Sequence, residues 1–76
     1  MGPGMRAEVF TYDQAERRRF DVVRDLPWDA AAAMARGRAL MRCADFETPL
    51  VETVPGGTIY RTVGRYVDVA ALVKGD

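Results

Sequence analysis

Residues 27–44 read PWDAAAAMARGRALMRCA and hold the strongest helical signal in the chain. Ala30 to Ala33 have the highest intrinsic helix propensity. Pro27 sits near the start, where a missing N–H does no harm. Asp29 suits an N-cap or a first-turn anion, and Arg42 lies near the negative end of the helix dipole. At about 100° per residue, Ala30, Ala33, Met34, Gly37, Leu40, Met41 and Ala44 share one face, with Arg36, Arg38 and Arg42 off it. The spacing therefore predicts a helix over residues 30–44 that buries Leu40. Gly37 falls in the middle of that face, where glycine costs about 1 kcal/mol against alanine. Close approach of the helix to a sheet would offset the cost. Trp28 lies about 180° from the same face, as a staple over the end of the preceding hairpin or as an anchor for a partner.

Strand patterns flank the helix on both sides. Met5 to Tyr12 (MRAEVFTY) is rich in β-branched and aromatic residues, and Arg17 to Leu26 (RRRFDVVRDL) alternates with period two. Asp13 to Glu16 is short and polar, which predicts an antiparallel hairpin. A competing reading caps a helix over 14–25 with Asp13 and Glu16. Phe20, Val22 and Val23 fit a helical face poorly, so the hairpin is preferred. With Gln14-Ala15 at the turn, Tyr12 faces Arg17, Phe10 faces Arg19, Val9 faces Phe20 and Ala7 faces Val22. Ala7, Val9, Phe20 and Val22 then form a core face. Phe10, Tyr12, Arg17 and Arg19 form the other.

After the helix, Asp45 to Val54 and Thr58 to Val67 predict a second hairpin around Pro55-Gly56-Gly57. Centring the turn on Gly56-Gly57 pairs Val54 with Ile59, Glu52 with Arg61, Leu50 with Val63 and Phe46 with Val67. Val51, Thr53, Tyr60 and Thr62 take the opposite face. Asp68 to Lys74 (DVAALVK) reads as a last helical turn capped by Asp68 or as a frayed tail. The expected fold is α+β, in the order β-β-α-β-β. An antiparallel sheet carries one helix packed on one face, with an optional short C-terminal helix. Residues 1–4 (MGPG) read as a cloning remnant, which leaves residues 5–76 as a single small domain.

Composition limits the chemistry. The 76 residues include no His, Ser or Asn. Ser-His-Asp catalysis and histidine general-base catalysis therefore have no side chains to run on. The single Cys43 cannot form an internal disulfide or a paired-Cys zinc site, and no histidine is present to activate it. Eleven basic and eleven acidic residues give a net charge of zero, so no strong non-specific pull toward nucleic acid is expected. Ten of the eleven basic residues are Arg, a usage that a GC-rich genome also produces. No apolar run approaches the length of a membrane span, and no signal peptide is recognised, so a cytoplasmic protein is expected. The glycine clusters lack the Gly-Lys-Ser/Thr ending of a phosphate loop. The carboxylate pairs Asp45/Glu47 and Asp21/Asp25 read as solvated surface. No metal or other cofactor is expected, and no enzymatic activity.

The remaining distinctive feature is Arg17-Arg18-Arg19 beside Phe10 and Tyr12. Arginine and aromatic residues are enriched at protein interfaces, and a guanidinium over a ring adds a cation–π attraction. Phe10, Tyr12, Arg17, Arg19 and Trp28 are the candidate partner-binding residues. The alternative is a small nucleic-acid-binding domain using Arg17 to Arg19 with Arg36, Arg38 and Arg42.

With its brevity, neutral balance and the run RAEVFTYDQAERRRFDVV (residues 6–23), the chain resembles small bacteriophage-encoded regulators that bind host bacterial RNA polymerase. That resemblance covers the whole chain in size and style and carries no motif, so no residue role transfers from it. It implies a non-enzymatic protein that displaces the initiation factor or suppresses termination in the host cytoplasm.

Overall fold

A computed structural model describes residues 6–43, 48–61 and 67–74. Two segments of extended chain come first, β1 (Arg6–Asp13) and β2 (Arg18–Pro27), followed by the helix α1 (Trp28–Arg42). Three further strands follow: β3 (Leu50–Val54), β4 (Gly57–Arg61) and β5 (Val67–Lys74). They form one antiparallel sheet in the order β2-β1-β5-β4-β3. The α+β class, with one helix on an antiparallel sheet, is the one expected.

The C-terminal segment corrects the expectation. Residues 67–74 are neither a helical turn nor a tail but the central strand. β5 pairs along all of β1, from Arg6↔Lys74 to Asp13↔Val67, and along all of β4. Asp68 as a cap and the Ala70-Ala71 pair favour helix locally. Tertiary demand overrides that preference, because each hairpin alone would leave a long unpaired edge. Val69 and Ala71 are fully buried under the helix, and Ala70 is nearly so on the other face.

The helix buries a different stripe from the one its Leu and Met residues suggest. Ala31, Ala35 and Ala39 are fully buried against Ala7, Val9, Val69 and Ala71. Leu26, Trp28, Met34 and Tyr60 close the rim of that cluster. Leu40 is 40% exposed and Met41 86% exposed. Hydrophobic weight places Leu40 and Met41 inside, but the strand residues below are Ala and Val. Small residues at i, i+4 and i+8 complement that flat surface and let the two layers close. Trp28, three residues before Ala31, falls on this stripe and acts as its end. Gly37 loses its expected role: a Cβ built there meets nothing within 4 Å among the described residues. The helix also starts earlier than expected, with Pro27 as N-cap and Asp29 in the first turn, and ends at Arg42. Cys43 is its C-cap, donating its N–H to the Leu40 carbonyl at 3.2 Å.

Beside their turns both hairpin registers shift by two residues from those expected, and along β2 the first shifts further. The first turn is Gln14 to Arg17, so Tyr12 faces Arg19, Asp13 faces Arg18 and Thr11 faces Phe20. The Asp13 Oδ1 accepts the N–H groups of Ala15 at 2.9 Å and Glu16 at 3.2 Å. The capping pattern in the sequence therefore serves one turn and goes no further. The second turn is Pro55-Gly56, closed by Val54↔Gly57, with Glu52 opposite Ile59 and Leu50 opposite Arg61. Proline ahead of a glycine at φ 82° has the pattern of a type II turn. Gly57, the first residue of β4, then lies against β5, where an added Cβ would overlap the Ala71 carbonyl oxygen. Beside both turns a slip of two residues leaves every side chain on its face; farther along β2, Val23 rather than the expected Val22 shares the core face with Val9. Glu52 and Arg61 still meet, now diagonally, at 3.4 Å. The third strand begins after Pro49, later than the expected Asp45. The expected pairings of Phe46 and Val63, the face assigned to Thr62, and residues 1–4 lie outside the described residues.

Candidate interaction surface

The helix covers one side of the sheet. On β1, Ala7, Val9 and Thr11 point toward it, so Glu8, Phe10 and Tyr12 point away. The edge strand β2 does not follow simple alternation. Against β1 its register runs Phe20↔Thr11, Val23↔Val9 and Leu26↔Ala7, so three steps on β2 twice match two steps on β1. These are two successive β-bulges. Each contains an aspartate in the left-handed region, Asp21 at φ 52° and Asp25 at φ 61°. Glycine usually holds that place in a bulge, and Asp is among the few other residues that tolerate it.

A bulge frees backbone groups from the ladder. Here guanidinium groups take up two carbonyls. Arg38, from the helix, donates to the Asp21 carbonyl at 2.8 Å and to Thr11 Oγ1 at 3.4 Å. Arg6 donates to the Asp25 carbonyl.

The first bulge also changes which face β2 presents. Arg19 and Arg24 are five positions apart, and on a regular strand an odd separation puts them on opposite faces. One extra residue between them reverses the parity. Both then reach Glu8 on the helix-free face: Arg24 Nε lies 2.9 Å and Arg19 Nη1 3.5 Å from its carboxylate oxygens. The Glu8 side chain is 6% exposed, whereas those of Arg19 and Arg24 are 52% and 60% exposed. The Arg19 guanidinium also lies over the Phe10 ring, 5.0 Å from its centre. A nearly buried carboxylate thus holds two half-exposed guanidinium groups, one of them seated on an aromatic ring. Bulge, carboxylate and ring together limit the freedom of two long side chains that would otherwise be mobile.

The sequence candidates divide accordingly. Phe10, Tyr12 and Arg19 come together on the helix-free face, with Tyr12 opposite Arg19 in register. Phe10 is only 8% exposed, so it supports Arg19 from beneath. Arg17 does not join them. It lies in the turn in the left-handed region, at φ 56°, and is exposed. Trp28 packs into the core on the other side of the sheet. Among the helix arginines, Arg38 is engaged with β1 and β2, and Arg42 donates to the Arg38 carbonyl at 2.9 Å. Arg18 pairs with Glu16 at 2.7 Å. The sequence reading missed Glu8 and Arg24. Two aspartates inside an apparent strand, Asp21 and Asp25, were the available signal, since Asp is depleted in regular strands. Comparison with known protein families, curated proteins and solved structures finds no match to this chain. Among the described residues no helix is long and apolar enough to cross a membrane.

Proposed function

We propose that this chain is a non-enzymatic protein-binding module that presents Arg19 and Arg24, from the helix-free face of the sheet, to an acidic segment of its partner. The observation that carries this reading is the Glu8 clamp, a nearly buried carboxylate holding two guanidinium groups half in solvent. Burying a charge is costly, and a hydrophobic core alternative is often as stable. Its use here is to orient two planar donor groups for bidentate contact with carboxylates before any partner arrives. Side chains already held lose less freedom on docking.

Bacterial RNA polymerase is the partner to test first, given the resemblance to small phage regulators, and a host-cytoplasmic location goes with that reading. The test is calorimetry of purified polymerase against the wild-type protein and the Arg19→Lys, Arg24→Lys double variant. Lysine keeps a cation beside Glu8 but loses the fork. Binding weakened about tenfold or more at an unchanged fold supports the reading. Equal binding by both proteins removes these arginines from the interface, and no binding by the wild type removes the polymerase. Nucleic acid is the second reading. It is weakened by the zero net charge and by the internal hydrogen bonds of Arg38 and Arg42. A salt-dependent gel shift with DNA and RNA separates the two.

A further inference from the structure

The two outer edges of the sheet are built differently. β2 carries two bulges, and guanidinium groups occupy the carbonyls of Asp21 and Asp25. Devices of this kind prevent another strand from adding to an edge. β3 pairs with β4 in unbroken register, has no residue at positive φ, and leaves Leu50 59% and Val51 63% exposed. The hairpin fixes which of its backbone groups are free among the described residues. Val54↔Gly57 closes a two-residue turn, so Val54, Glu52 and Leu50 bond toward β4. The N–H and C=O groups of Val51 and Thr53 therefore point outward. Pro49 and Pro55 flank the strand and offer no N–H, so the open stretch is short and bounded.

Side chains on the helix-free face of β3 specify what could add. Leu50 and Val54 are separated by Glu52, whose side chain is 51% exposed beside Arg61. A second copy of this strand, centred on the same residue, would set Glu52 against Glu52, and directly opposed like charges destabilise a strand pair. We infer that the outer edge of β3 accepts an extended segment of a partner protein in antiparallel pairing. That segment carries a basic residue opposite Glu52 and aliphatic residues opposite Leu50 and Val54. Backbone bonds to Val51 and Thr53 supply the attachment, and the apolar–basic–apolar alternation supplies selectivity. This surface lies at the far edge of the sheet from the Glu8 clamp and stands independently of it.

The test uses the full chain, labelled for amide NMR, and a seven-residue capped peptide that alternates threonine with leucine, arginine and valine. The expected result is saturable shifts at the Val51 and Thr53 amides, with the Arg19 and Arg24 amides unmoved. Glutamate in place of the peptide arginine should weaken binding about fivefold, a change of about 1 kcal/mol for the cross-strand pair. Glu52→Gln should reduce that discrimination. No shift at Val51 and Thr53 with millimolar peptide, equal binding of the two peptides, or self-association of the free chain through β3 would overturn the inference.

Discussion

Asp21 and Asp25 do work that their chemical type conceals. They are acidic, exposed and four apart, which reads as ordinary surface, yet each sits at positive φ and turns β2 by one residue. The consequence is testable without a partner. Asp21→Gly retains the left-handed conformation, so melts should show a change within about 1 kcal/mol. Asp21→Val forces a β-branched residue into that region and should destabilise by about 2 kcal/mol. The Glu8 clamp gives a second expectation. Replacing Arg19 and Arg24 together by Ala takes two cationic partners from a nearly buried carboxylate and should cost about 2 kcal/mol in urea unfolding. Adding Glu8→Gln should return part of it. Arg17, exposed in its turn, can be neutralised with little effect. Neutralising Arg19 would therefore disturb stability as well as binding, which its place in the sequence alone does not reveal.

At the scale of elements, α1 separates hydrophobicity from burial. The fully buried residues are three alanines, while Leu40 and Met41 lie outside. Ala35→Leu should overpack the contact with the sheet and cost about 1–3 kcal/mol. Leu40→Ala should change stability by less than about 1 kcal/mol, because the side chain is already part-solvated. Gly37→Ala adds helix propensity where the methyl meets open space, so it should stabilise by about 1 kcal/mol. Gly57→Ala runs the other way, since its Cβ would overlap the Ala71 backbone carbonyl. Chemical melts of these four variants rank the two glycines directly. The elements themselves were legible: both hairpins and the helix follow from Pro, Gly and alternation. Their exact registers and the buried helix stripe were not. A two-residue slip preserves every face, so the hydrophobic pattern is blind to it. A chain of alanines fits any face, so the partner surface chooses.

At the scale of the whole molecule, β5 joins two hairpins that have no other strand contact among the described residues. The first hairpin supplies β2 and β1, the second β4 and β3, and the last strand bonds to both. Its sequence could not announce this, because DVAALVK suits a short helix as well as a strand. Only closing the gap between distant edges selects the strand, and that information is non-local. An isolated two-stranded hairpin is marginal in water. Neither half is therefore expected to persist once β5 detaches, although the N-terminal half is better packed under the helix. Ala70→Pro tests this. Proline at the middle of an interior strand removes a ladder donor and is incompatible with a central position. Ala70 lies opposite Phe10 on one side and Ile59 on the other, so the substitution strikes both seams at once. Hydrogen exchange should then show the amides of β1 and β4 losing protection together, with a cooperative loss of the far-ultraviolet signal. Retained protection in the first hairpin and helix, with loss confined to β3 and β4, would instead show two separately stable halves and a β5 that merely tethers them.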